Sequence, residues 1–318
     1  MRLIDAATVH AVLPYGPLIE ALRRGHREDV IAERVLMRQG SDDFLVWPAW
    51  QPRTALGVKL ITVFPGNAAA GRPAIGGIYL LFDGGDGRVL AGLDGAALTF
   101  RKTAADTALG ADYLARPDAR VLGLIGAGGQ AWHQVMAVRA VRPSLHRVKV
   151  WNRTPERAKA LAARLTEDGL EAVAVPDPAA AVAGADVVAC VTASETPLLC
   201  GRWLEPGTHV DLTGGYTPAM READDETMQR AHLYVDTRRF ALTECGDLAQ
   251  PLAAGVIRED SVVGDLFDLV RGRAPGRRSS DEITVFKNGG GGHLDLMAAL
   301  AAHERLMRDP AKAGSEDT

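Results

Sequence analysis

Residues 121–131 read Val-Leu-Gly-Leu-Ile-Gly-Ala-Gly-Gly-Gln-Ala, a short apolar run that passes directly into Gly-x-Gly-x-x-Ala. An apolar run of this length bounded by glycine predicts a buried strand, and the small residues after it predict a tight turn into a helix. Each small residue has a task in such a turn. Gly126 permits the bend, Gly128 lets backbone N–H groups approach a pyrophosphate, and Ala131 lets the helix pack closely on the strand. Gly126, Ala127, Gly128, Gly129, Gln130 and Ala131 are therefore expected to hold a dinucleotide. The surroundings strengthen this reading, because apolar strands are predicted near 120–125, 147–151, 171–175, 186–191, 208–212 and 233–236 with helical segments between them. That alternation implies an α/β fold with a doubly wound parallel sheet of the Rossmann type.

The second of these strands ends in Asn152-Arg153-Thr154, where an enzyme using NAD usually places an acid against the ribose 2′-hydroxyl. No acid stands there. Arg153 offers a guanidinium to a 2′-phosphate, and Asn152 and Thr154 offer hydrogen bonds without charge repulsion. The expected cofactor is NADPH, with NADH as the alternative. The fourth strand runs out at Cys190-Val191-Thr192, on the carboxyl edge where ligands of such folds collect, which puts Thr192 on the nicotinamide side.

The residues before the glycine turn have a different character. Leu18 to about Ala32 shows helical spacing, and a polar stretch with Arg38, Ser41, Asp42 and Asp43 leads into apolar runs. Segments 56–64, 75–82 and 88–93 predict an antiparallel set of strands, and 95–115 predicts a helix stopped near Arg116-Pro117. The expected division is a substrate-binding and dimerisation α+β domain over 1–116, completed by about 293–318, and a dinucleotide domain over 117–292. Ile283-Thr284-Val285-Phe286 predicts one more strand, a helix follows to about Arg308, and the tail 309–318 is expected to be disordered. A net charge of −4 gives no bulk reason to bind nucleic acid or an anionic membrane. Cys190, Cys200 and Cys245 form no CxxC pair, so neither a metal site nor a disulfide framework is expected. The missing signal-peptide core and the lack of a long apolar span predict a cytoplasmic protein without membrane segments.

Lys59 lies inside the apolar strand Leu56-Gly57-Val58-Lys59-Leu60-Ile61, where an ammonium is costly unless it meets an anion. Leu56-Gly57-Val58-Lys59, Phe64-Pro65-Gly66-Asn67, Leu80-Leu81-Phe82-Asp83, Leu98-Thr99 to Thr103-Ala104-Ala105, the glycine turn, Arg221-Glu222, Glu244-Cys245-Gly246-Asp247-Leu248 and Ile283 to Lys287 form a distinctive set. Through them the chain resembles the ornithine cyclodeaminase/mu-crystallin family over nearly its whole length. The resemblance implies a homodimer and a small amino or cyclic imino acid whose carboxylate is held by basic residues. By position Arg38 matches the first of these and Lys59 the second. The third, usually arginine, is Lys102 with Arg101 beside it, and the choice between them stays open. Asp295 matches a family aspartate, but a helix N-terminal acid is an equal account of it.

The resemblance also places Tyr216 where cyclodeaminases and alanine dehydrogenases carry an aspartate. A phenol with an ordinary pKa of about 10 is a poor base for an ammonium group. The expected reaction is therefore NAD(P)H-dependent reduction of a cyclic ketimine, Δ1-pyrroline-2-carboxylate or Δ1-piperideine-2-carboxylate, to L-proline or L-pipecolate. Arg38, Lys59 and Lys102 or Arg101 would clamp the carboxylate, and Lys59, Tyr216 or a water would relay the proton. The alternatives are ornithine cyclodeamination with bound NAD, and a non-catalytic ligand-binding role like that of mu-crystallin.

Overall fold

A computed structural model describes residues 2–309. By contacts the chain forms two compact units, one running to Lys102 and resuming at Gly291, the other Thr103–Gly290. The first comprises β1 (Arg2–Ile4), α1 (Ala6–Val12), α2 (Tyr15–Gly25), β2 (Ile31–Ala32), β3 (Val35–Gln39), β4 (Asp42–Gln51), β5 (Ala55–Val63), β6 (Ile75–Asp83), β7 (Val89–Asp94) and the start of α3 (Gly95–Leu114). Its sheet runs β1-β7-β6-β5-β4-β2, with β3 also paired to β4. The strands are antiparallel except for the β1–β7 pair. β5 is paired over its whole length on both sides, from Ala55 to Val63, which makes it the spine of the sheet.

Two expectations for this region change. The first helix stops at Gly25 rather than near Ala32, because Ile31 and Ala32 are drawn into ladder pairs with Trp50 and Ala49. Tertiary pairing here overrides a helical pattern. The polar stretch around Arg38 is a hairpin, β3–β4, turning at Gly40 with φ +62°. Its strands escape a search for apolar alternation because every residue of β3 is exposed.

The second unit comprises the rest of α3, then β8 (Val121–Ile125), α4 (Gly129–Val141), β9 (Arg147–Trp151), α5 (Pro155–Glu167), β10 (Glu171–Ala174), α6 (Pro178–Val182), β11 (Val187–Cys190), β12 (His209–Leu212), α7 (Asp225–Arg230), β13 (His232–Val235), α8 (Arg238–Glu244), α9 (Gly246–Ala253), β14 (Val262–Asp265), α10 (Leu266–Val270) and β15 (Thr284–Lys287). Its eight parallel strands stand in the order β10-β9-β8-β11-β12-β15-β13-β14. Alternate residues of the central strand enter opposite cores: Val187 and Ala189 join Leu122, Leu124, Val148 and Val150, while Val188 and Cys190 join Ile125, Val210, Leu212 and Val285. A strand covered on both faces must be apolar throughout, which is why β11 reads Val-Val-Ala-Cys. Each Val or Leu so buried stabilises the fold by roughly 1.5–3 kcal/mol.

Helix α11 (Gly292–Arg308) returns to the first unit, packing on α2 and on β4 to β6. The division within α3 falls between Lys102 and Thr103, short of the helix stop at Pro117 where sequence placed it. A helix end is a local signal, whereas a unit boundary is set by which core each turn of the helix joins. Apart from Asp309, the expected disordered tail lies outside the described residues.

Candidate functional site

In the first unit the chemistry gathers on one face of the sheet. β5 alternates buried and partly buried residues along its first half, and Lys59 falls on the buried phase. Its register partners are Trp47 on β4 and Tyr79 on β6, so the three side chains share that face. A desolvated ammonium needs an anion, and the first turn of α11 supplies it. Lys59 Nζ donates to Asp295 Oδ1 at 3.2 Å and to Thr99 Oγ1 at 2.5 Å, and Thr99 donates to the Gly95 carbonyl at 2.6 Å. Lys102, one turn beyond Thr99 on α3, places Nζ 4.0 Å from Asp295 Oδ2. All three charged residues are buried. One carboxylate therefore serves two ammonium groups, and the cluster is net positive.

Aromatic groups complete the surroundings. The Arg34 guanidinium lies 4.6 Å from the Trp47 ring centre, and Lys59 Nζ lies 5.7 Å from it. Burial holds the Lys59 ammonium below its usual value; Asp295 opposes that shift, while Lys102 and Arg34 add to it. The Tyr79 phenol is pushed well above 10 by burial and by the charge of Asp295, which keeps it neutral. Its hydroxyl has no hydrogen-bond partner among the described residues and occupies the space that a side chain at Gly57 would fill.

The structure thus brings Lys59 and Lys102 together. Arg101 is carried elsewhere: Nε donates to His10 Nδ1 at 3.0 Å, and the guanidinium covers the Tyr15 ring at 4.8 Å. Consecutive helix residues point about 100° apart, so one of the pair had to leave the cluster. Arg38 is not brought to Lys59 either. Its side chain is 62% exposed and pairs with Asp43 through Nε at 2.7 Å and Nη2 at 2.9 Å. Register puts Arg38 on the same face but level with Asp43 and Val63, four positions from Lys59, or about 13 Å of strand. The arginine that stands there is Arg34, which the sequence reading missed. It stands just ahead of β3, and only the folded structure lays its guanidinium over Trp47.

In the second unit the glycine turn follows β8. Gly126 has φ +110°, and a β-carbon there would lie 2.6 Å from the Val191 carbonyl oxygen, so only glycine fits. Gly128 caps α4 without a side-chain hydrogen bond and has open space around it. The N-cap of this thirteen-residue helix thus puts no side chain over the first turn, which fits a pyrophosphate. Asn152 does a different job from the expected one: its Oδ1 accepts from Ala127 N–H and its Nδ2 donates to the Thr154 carbonyl, both at 3.0 Å. Its amide locks the turn to the end of β9. Arg153 and Thr154 are exposed beside it, and Ala131 is buried against the sheet. Gln130 donates to Gln134 Oε1 at 3.3 Å.

Behind the carboxyl edge of the sheet lies a buried polar layer to which, Thr192 apart, sequence reading assigned no chemistry. Gln134 Nε2 donates to Thr107 at 2.6 Å, Asp211 at 3.0 Å and Thr213 at 2.5 Å, and burial raises the Asp211 carboxyl to about 7 despite these bonds. Thr192 donates to Glu222 Oε1 through its backbone N–H at 2.7 Å and its hydroxyl at 2.8 Å. Burial raises Glu222 to about 8, against the pull of Lys287. Lys287 Nζ donates to Asp247 Oδ2 at 2.9 Å and to the Gly214 carbonyl. For Asp211 and Lys287 the signal was a charged side chain toward the end of an apolar strand. Tyr216, on the loop after β12, is 57% exposed. Among the described residues there is no cluster of side chains suited to a metal ion, and no helix is long and apolar enough to cross a membrane.

Known proteins share this architecture. A Δ1-pyrroline-2-carboxylate reductase of Paracoccus denitrificans is 48% identical over 90% of this chain and 91% of its own. The structure of the Thermococcus litoralis Δ1-pyrroline-2-carboxylate reductase in complex with NADH and L-proline matches with a TM-score of 0.91 at 29% identity, covering 98% of each chain. An archaeal alanine dehydrogenase dimer with bound NAD matches with a TM-score of 0.90 at 26% identity over 98% and 97% of the two chains. The family model described as ornithine cyclodeaminase/mu-crystallin matches residues 14–309. With a parallel dinucleotide-type sheet, a distinctive motif set and a 48% identical relative, the chain belongs to the ornithine cyclodeaminase/mu-crystallin family.

Proposed function

We propose that the protein is an NAD(P)H-dependent ketimine reductase that converts Δ1-pyrroline-2-carboxylate, or its six-membered homologue, to L-proline or L-pipecolate. The observation that carries the reading is the buried Lys59–Asp295–Lys102 cluster, whose excess positive charge suits a small carboxylate. The Paracoccus and Thermococcus relatives, named for the same reduction, support it. Lys59 and Lys102 bind the carboxylate, and Arg34, over the Trp47 ring, adds positive charge beside them. Clamping the carboxylate aligns the ring carbon for reduction and turns binding into orientation. When bound at the glycine turn, the reduced dinucleotide supplies a hydride for C2 of the ring. The ring nitrogen gains a proton, so that ketimine, hydride and proton together give the secondary amine. Burial makes Lys59 a readier proton donor than a free lysine, and Tyr216 is a second source open to solvent.

Arg153 and Thr154 support a preference for NADPH. A charge-assisted hydrogen bond to a 2′-phosphate contributes about 1.5–3 kcal/mol, or about tenfold or more in specificity. The test is purified protein with Δ1-pyrroline-2-carboxylate and either NADPH or NADH, followed by loss of reduced-nicotinamide absorbance. Turnover with NADPH favoured about tenfold is expected; no oxidation with either ring size would sink the reading. Ammonia release from ornithine would replace it with cyclodeamination.

Dimerisation is part of the same proposal. Val35, Leu36, Met37, Phe44 and Trp50 are exposed on β3 and β4, an apolar surface suited to a second copy. Light scattering should give twice the 33.8 kDa chain mass, and a monomer would refute it. Cys190, Cys200 and Cys245, none of them in a disulfide, fit a reducing compartment such as the cytoplasm.

A further inference from the structure

Resting on the reductase reading, we infer that Asp295 is a positioning residue that holds Lys59 and Lys102 side by side as a charged pair, ready for the substrate carboxylate. Two buried ammonium groups repel each other and lose their hydration together. Asp295 offsets both effects with one oxygen toward each lysine, at 3.2 Å and 4.0 Å, from a side chain with no exposure. The groups around Lys59 come from every element packed on it: Trp47 of β4, Tyr79 of β6, Thr99 and Lys102 of α3, Asp295 of α11, and Arg34 ahead of β3. His293 of α11, edge-on to His26 of α2 at 5.7 Å, is acted on by Lys102 and Arg34 and is kept neutral by burial. Tyr79 is neutral as well. Asp295 alone among these groups is negative.

An anion placed in this way has two consequences. It keeps Lys59 protonated at a depth where burial and two neighbouring cations work against the charge. It also leaves the Lys59–Asp295–Lys102 set one positive charge in excess, with Arg34 beside it, so that an arriving carboxylate is drawn in without displacing a partner. The ammonium groups are thereby aligned before substrate arrives, which lowers the cost of orienting it.

The test uses the full chain with NADPH and two variants. Binding of pyrrole-2-carboxylate, a flat carboxylate analogue of the ring, is measured by calorimetry across pH; its loss at high pH reports deprotonation of the clamp. Asp295→Asn keeps the size and removes the charge, and should move that limb down by about one pH unit or more. KM for Δ1-pyrroline-2-carboxylate should rise with it, while kcat below the limb stays within about threefold. Lys102→Met removes the neighbouring cation and should move the limb the other way, although binding is weaker at every pH. A purely structural aspartate would lower thermal stability and leave the limb in place. An unmoved limb in Asp295→Asn overturns the inference; if that variant does not fold, an unmoved limb in Lys102→Met overturns it by showing that the two ammonium groups are not a coupled pair. Absence of analogue binding by the unmodified protein also overturns it. Analogue binding with the expected shifts but no imine turnover would instead refute the reductase reading and leave the role of Asp295 standing.

Discussion

Lys59 illustrates how much a single charge in an apolar strand implies on its own. An ammonium in such a setting is tolerated only with a partner, so its position already marked a site. Its partner was not readable, because Asp295 is 236 residues away in sequence and helix α11 had first to be laid across β5. Replacing Lys59 by methionine keeps most of the stem's packing and deletes the charge. We expect kcat/KM for the imine to fall by about 100-fold or more, with the Kd for NADPH unchanged within about twofold. Stopped-flow kinetics and cofactor fluorescence separate the two effects, and retained turnover would show that the clamp is misassigned. The neighbouring choice between Arg101 and Lys102 was open in sequence for a related reason. Both carry the right charge, and only the rotational phase of α3 sends one to Asp295 and the other to His10.

At the scale of elements, the helix over 95–115 was legible from its apolar spacing and from the proline that stops it. What holds its end was not. Arg142, just past α4, donates to the carbonyls of Ala111, Asp112, Ala115 and Arg116 and to the Asp112 carboxylate. The guanidinium thus closes the end of α3 and the turn after it, where helical N–H partners run out for Asp112 and Ala115, while Ala111 and Arg116 also accept from Ala115 and Ala119 N–H. Arg142→Ala removes five charge-assisted hydrogen bonds made by a buried guanidinium, at a cost of about 3–5 kcal/mol. The expected loss is roughly 6–12 °C in Tm by calorimetry. A change of about 1 °C would mean that water replaces the guanidinium. The β3–β4 hairpin is the converse case: its exposed residues carry no period-two signal, so a polar segment that forms strands was read as a connection.

For the whole molecule, buried titratable groups set a pH dependence of stability whose sign follows from their shifts. Asp211 and Glu222 have folded values of about 7 and about 8 against ordinary values of 3.8 and 4.5. Both bind a proton in the folded state that the unfolded chain has released, so their contribution is complete below the ordinary values and is lost as pH rises through the folded ones. His209 acts in the opposite sense: burial lowers it to about 3 from 6.5, so its contribution is lost as pH falls from 6.5 toward 3. Above pH 6.5 the His209 contribution is constant, whereas the two acids still titrate. Tm should therefore fall between pH 6.5 and 8, by on the order of 1 kcal/mol in stability per group. Glu222→Gln, which keeps the shape without the titration, should flatten this fall; an unchanged slope in the variant would show that Glu222 is ionised in the folded protein.

Local periodicity and residue chemistry were enough to determine the parallel sheet, the glycine turn and the presence of a charged site ahead of that turn. Strand alternation, helix stops and the steric demand for glycine act over a few residues and are written in the order of the chain. The tertiary structure alone decided which groups meet. The fold laid Arg34 rather than Arg38 over the Trp47 ring, and helix phase chose Lys102 over Arg101. Burial raised Glu222, and the return of α11 supplied Asp295. Each of these depends on contacts between residues far apart in sequence, whose pairing is settled by packing rather than by neighbours along the chain.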